Sequence, residues 1–201
     1  MRRILLLGGL CAASVAAYAM SLGVGAHLTR ADFDRLSDEI ALMKRSGFTS
    51  CRFGFCPRDH AKDGSYDRWD RVVDELVVAG IEPLPVVCGW PYDRADKAFL
   101  DFVRTTAKRY RDKIKTWEIW NEENSDQFWQ DVSARDYLDL LTKTRTAIRE
   151  EIQDARIVLG GLAGVDACSM MNRFYEHFEI LKMNEKPNFF VTHTDMPYKI
   201  E

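Results

Sequence analysis

Three carboxylates and two amides crowd around two tryptophans in WEIWNEEN, residues 117–124. Glu118, Glu122 and Glu123 are each capable of proton transfer or of balancing charge, and carboxyls take the general acid and base roles in many hydrolases. If the stretch is a strand, its side chains alternate between two faces. Glu118, Trp120 and Glu122 then share one face and Glu123 takes the other. Depth separates the acids further. Glu122 falls at the strand end, Glu123 opens the following loop, and Glu118 lies four residues deeper, where a carboxylate needs partners or costs several kcal/mol.

The elements that must carry these residues alternate regularly along the chain. Strand-like runs occur at 21–27, 49–55, 81–90, 114–122, 156–161 and 188–194. Between them lie helical patterns. The first, with Thr29 or Asp32 as cap, carries Phe33, Leu36, Ile40 and Met43 and stops at Gly47. The second carries Trp69, Val72, Val73 and Leu76 and stops at Gly80. Further helices are expected over about 96–111, 134–152 and 170–183. Pro85 sits awkwardly inside the third strand. Alternating strands and helices imply a parallel sheet with right-handed crossovers. The repeat of about 33 residues is close to the roughly 31 of a (β/α)8 barrel. The expected fold class is therefore α/β, a TIM-barrel type that is incomplete at about six βα units. A doubly wound sheet is the alternative, but VGAHLT lacks the glycine-rich turn such sheets carry after their first strand.

The chain has 201 residues and a formal charge of −3. Arg2-Arg3, an apolar run from Ile4 and Ala17-Tyr18-Ala19 read as a signal peptide over 1–19, cleaved after Ala19 and implying a secreted or periplasmic protein. The remaining domain, 20–201, would lose two arginines and carry −5. An acidic domain offers no footprint for nucleic acid or for an anionic membrane. Small neutral ligands or proteins fit better. Cys51, Cys56, Cys88 and Cys168 would remain in an oxidising compartment. Cys56 and Cys88, near the ends of successive strands, form the candidate disulfide. Neither the cysteines nor the scattered His27, His60, His177 and His193 have zinc-ligand spacing.

WEIWNEEN resembles the strand-four signature of clan A retaining glycoside hydrolases. NEENSDQFW, 121–129, is most similar to the β-xylosidase and α-L-iduronidase group, with Glu123 in place of a proline. DGSYDRWDRVVDELVVAGIEPLP, Arg52-Phe53 and THT at 192–194 extend the likeness. The resemblance implies an O-glycosidic substrate, an oligo- or polysaccharide, hydrolysed with retention and with neither metal nor organic cofactor. It implies Glu122 as acid/base and Asn121 as the partner of a sugar 2-hydroxyl. Arg52 would keep the nucleophile ionised, or else pair with a structural carboxylate. His193 and His27 would line the sugar site, and Trp90 and Trp129 would stack on sugar faces unless they only pack helices. Asp195 stands where the family has tyrosine, so Tyr198 is the residue to fill that space.

Retaining hydrolysis needs a second carboxylate roughly 5–5.5 Å from the acid. The family places it on a seventh strand, whereas the sixth strand of this sequence ends just before Glu201. The expectation is a truncated barrel with little turnover by itself, or one that another chain completes. The alternative is a non-catalytic extracytoplasmic sugar-binding protein.

Overall fold

The computed structural model describes residues 21–30, 33–57, 64–88, 97–123, 125, 128–129 and 133–161. Among the described residues five strands form one sheet: β1 (Gly23–Gly25), β2 (Ser50–Phe55), β3 (Glu82–Val87), β4 (Thr116–Ile119) and β5 (Arg156–Leu159). Every pairing is parallel and the spatial order is β1-β2-β3-β4-β5. Each crossover steps to the next position in the same direction. A doubly wound sheet reverses direction at a switch point; this one does not, and it has the strand order of a (β/α)8 barrel. The sixth expected strand, the fifth expected helix and the expected signal peptide lie outside the described residues.

The helices are α1 (Leu36–Arg45), α2 (Asp67–Ala79), α3 (Lys97–Tyr110) and α4 (Ala134–Glu151). α1 buries Leu36, Ile40 and Met43, and α2 buries Trp69, Val72, Val73 and Leu76, the stripes that the periodicity predicts. The start of α1 differs from expectation. Phe33–Arg35 form a 3-10 turn, and the helix begins after Arg35 without a side-chain cap. α2 ends as expected at Gly80, whose φ of +75° only glycine adopts without cost. Ser133 caps α4 by accepting the Asp136 N–H at 3.1 Å.

Pro83 and Pro85 both sit inside β3, and the ladder explains why they are tolerated. Glu82 N–H donates to Thr49 O and Cys88 N–H to Phe55 O, so the even-numbered N–H groups of β3 face β2. Odd positions face β4, where pairing begins only at Val86. The prolines therefore leave the ladder to β2 intact and remove donors only on the β4 side.

The core lies between sheet and helices. Phe55 contacts Trp69, Tyr110 and Trp117 at ring-centroid distances of 4.8, 5.3 and 6.2 Å. On β2, Cys51, Phe53 and Phe55 are buried on this helix side. Arg52 and Gly54 face the other way, into the barrel.

Candidate active site

A cavity of about 430 Å3 opens at the C-terminal ends of the strands. Its wall takes His27 after β1, Arg52 and Gly54 from β2, Cys88 after β3, and Asn121 and Glu122 after β4. This is the end at which barrel enzymes bind substrate.

Glu118 is fully buried and held by a cation. Arg52 grips it with both arms of its fork, Nε to Oε2 at 2.7 Å and Nη2 to Oε1 at 2.8 Å. The Gly161 N–H donates to Oε1 at 3.1 Å. The deep carboxylate is thus charge-paired and hydrogen-bonded, the condition under which burial is affordable. Arg52 is thus paired with this buried carboxylate, one of the two expected roles. The same Nη2 donates to Asn121 Oδ1 at 2.8 Å. With its oxygen engaged, Asn121 presents its amide N–H groups as the donors for a ligand.

Simple alternation fails after Ile119. Trp120 has φ +70° and Glu122 φ +48°, the non-glycine residues with positive φ among the described residues. Each such residue costs about 1–3 kcal/mol unless its surroundings hold it. Here Trp120 N–H donates to Val87 O at 2.9 Å, Glu122 N–H to Gly161 O at 2.8 Å, and Ser125 N–H to Glu122 O at 2.8 Å. The first twist sends the Trp120 ring to the helix side, against Phe99 and Trp129 at 6.2 and 5.0 Å. It does not share a face with Glu118. The second returns Glu122 to the cavity, partly exposed.

Glu123 opens the turn after β4 as expected, but its environment has no counterpart in the sequence reading: it is 1% exposed and its Oε2 has no hydrogen-bond partner. It lies against Gly160, where a Cβ would collide with that oxygen. Nearby Tyr137 has its hydroxyl already committed, donating to Ile119 O at 2.9 Å and accepting from Gly160 N–H at 2.8 Å. Burial, reinforced by the charges of Glu118 and Glu122, pushes the Glu123 carboxyl well above the usual range, so that it is held as the neutral acid.

The aromatic pair of the following loop divides. Phe128 lines the cavity, whereas Trp129 is 3% exposed and packed against Trp120 and, at 5.9 Å, Tyr137. Trp129 is core, not a platform for a sugar. Phe128, the other aromatic at the end of NEENSDQFW, is not singled out by the sequence reading. The structure thus brings together His27, Arg52, Asn121 and Glu122. Trp90, His193 and Tyr198 lie outside the described residues. The candidate Cys56–Cys88 disulfide is not formed in this structure, in which Cys51, Cys56 and Cys88 are reduced.

No family model matches the chain. The 6-phospho-beta-glucosidase of Dickeya chrysanthemi is 31% identical over 113 residues, covering 46% of this chain and 24% of that protein. Beta-glucosidase 28 of Arabidopsis thaliana is 28% identical over 112 residues, 45% of this chain and 19% of that protein. Among solved structures, a monomeric beta-xylosidase from Caulobacter crescentus CB15 matches with a TM-score of 0.62 and 20% identity, over 87% of this chain and 41% of that one. The chain spans a quarter or less of these curated relatives and under half of the xylosidase. The likeness establishes a glycoside hydrolase-like TIM-barrel fold, of which the described residues form part.

Proposed function

We propose that the cavity at the strand ends binds a neutral oligo- or polysaccharide, and that Glu122 is the acid/base of a retaining O-glycoside hydrolysis. The observation that carries this reading is the backbone reversal at Trp120–Glu122. It delivers one carboxylate into the cavity beside an Asn121 already oriented by Arg52. In that role Glu122 would protonate the leaving oxygen and then deprotonate the attacking water, with Asn121 donating to a sugar hydroxyl. His27 and Phe128 would add a hydrogen-bonding and an apolar wall. The chemistry asks for no metal or organic cofactor.

Among the described residues that line the cavity, Glu122 is the sole carboxylate. Glu118 is tied to Arg52, so the nucleophile must come from elsewhere. A polypeptide of these 201 residues is accordingly proposed to bind sugar with little or no turnover, and another segment or chain that closes the barrel would supply the second acid. The same observation favours the non-catalytic sugar-binding reading as runner-up. Localisation is proposed as secreted or periplasmic, from residues 1–19.

Calorimetric titration with xylo- and gluco-oligosaccharides, run beside an aryl-glycoside assay, tests these statements. Binding weakened by Asn121→Ala, without hydrolysis, is the expected result. Robust turnover abolished by Glu122→Gln would support the acid role and refute the inactivity. No binding to any oligosaccharide would sink both readings.

A further inference from the structure

We propose that Cys56 and Cys88 form a reversible disulfide across the ends of β2 and β3, in the wall of the cavity that holds Glu122. The ladder sets up the pair. Phe55 and Val87 are register partners, and the Cys88 N–H still donates to Phe55 O at 3.3 Å. Cys56 and Cys88 are therefore side by side, one residue beyond the last paired position. In-register neighbours on adjacent strands are about 4.8 Å apart, within the roughly 4.4–6.8 Å between Cα atoms that a disulfide spans. Their faces also agree. Alternation puts Arg52, Gly54 and Cys56 on one side of β2, and Val86 and Cys88 on the matching side of β3. All five line the same cavity.

Exposure sets the order of events. Cys56 is 4% exposed and Cys88 is only partly buried. Against a small-molecule disulfide such as oxidised glutathione, the Cys88 thiolate attacks first and expels one glutathione thiolate. The Cys56 thiolate then attacks the Cys88 sulfur of that mixed disulfide and expels the second. Two protein thiols are oxidised, one glutathione disulfide is reduced to two thiols, and the two protons lost by the cysteines end on the two expelled glutathione thiolates. Closure ties two strand ends at the rim beside Arg52 and Gly54, and reduced glutathione reverses it. The proposal stands apart from the carbohydrate reading.

The chain supplies its own folding control. Cys51, one strand-face away, is fully buried, and burial pushes its thiol up to about 12, so a folded chain protects it from alkylation. Trypsin separates the three cysteines into peptides 46–52, 53–58 and 72–94. After incubation with oxidised glutathione, alkylation and digestion, the expected result is a 53–58/72–94 linked pair with Cys51 unmodified. Reduced glutathione should restore alkylation of both. Cys56→Ser should strand a glutathione adduct on Cys88, while Cys88→Ser should leave Cys56 as a thiol. A link of either residue to Cys168 would overturn the proposal. So would alkylation of both in chains that still protect Cys51, or a bridge confined to chains that no longer protect it.

Discussion

Arg52→Met leaves Glu118 buried with no cation and, of its three hydrogen bonds described above, only the Gly161 N–H. Removing one partner of a buried ion pair costs about 3–5 kcal/mol, because the survivor keeps its desolvation without compensation. The remaining backbone donor places this site toward the lower end, about 3 kcal/mol. Against a total stability of about 5–15 kcal/mol, that is a large fraction. Arg52→Lys keeps the charge but not the fork that reaches Glu118 and Asn121 together, so it should cost less, about 1–2 kcal/mol. The double variant Arg52→Met, Glu118→Leu removes both charges and should recover most of the loss, since replacing a whole buried pair by apolar side chains is often neutral. Urea unfolding of the parent and these variants, with Glu118→Leu completing the cycle, reads all of this. A cost below about 1 kcal/mol for Arg52→Met, or no coupling between the two positions, would show that the pair does not hold the site as argued.

Three further outcomes are expected. The proton held by Glu123 stabilises the fold fully below the group's ordinary value of 4.5, and that contribution is lost as pH rises toward the elevated folded value. Glu123→Gln keeps the shape without the charge, so its advantage over the parent should grow by about 1.4 kcal/mol per pH unit above pH 5; unfolding curves of equal pH slope for both proteins would contradict it. Gly160→Ala should cost about 1–3 kcal/mol by overpacking, since its Cβ meets Glu123 Oε2 and lies 3.0 Å from Ile119 O; a neutral change in denaturation midpoint would refute the close approach. Trp129→Ala should cost about 3–5 kcal/mol, whereas Phe128→Ala should leave the midpoint nearly unchanged and weaken oligosaccharide binding in calorimetry.

How far the sequence could be read follows from what each feature depends on. The buried stripes of α1 and α2 are local periodicities, and Gly80 marks its own stop, so these were legible. Glu118 needed a partner on burial grounds alone, and Arg52 sits on the cavity-facing parity of β2. Pro85 looked misplaced because nothing local says that its missing donor faces β4 and spares the ladder to β2. Glu123 looked like a loop acid because its burial is made by Gly160 and Tyr137, which are distant in sequence.

Residue types and spacing by themselves determined the repeating strand–helix order, the barrel class, and Glu122 and Asn121 at a strand mouth. All of these follow from period and position along one segment. Tertiary structure alone decided which way the mouth residues face. Positive φ at Trp120 and Glu122 has no signature in their side chains, and it persists because Val87 and Gly161, on neighbouring strand ends, accept the hydrogen bonds that hold it. The same reversal puts Trp129 in the core, Phe128 on the cavity and one carboxylate in the open.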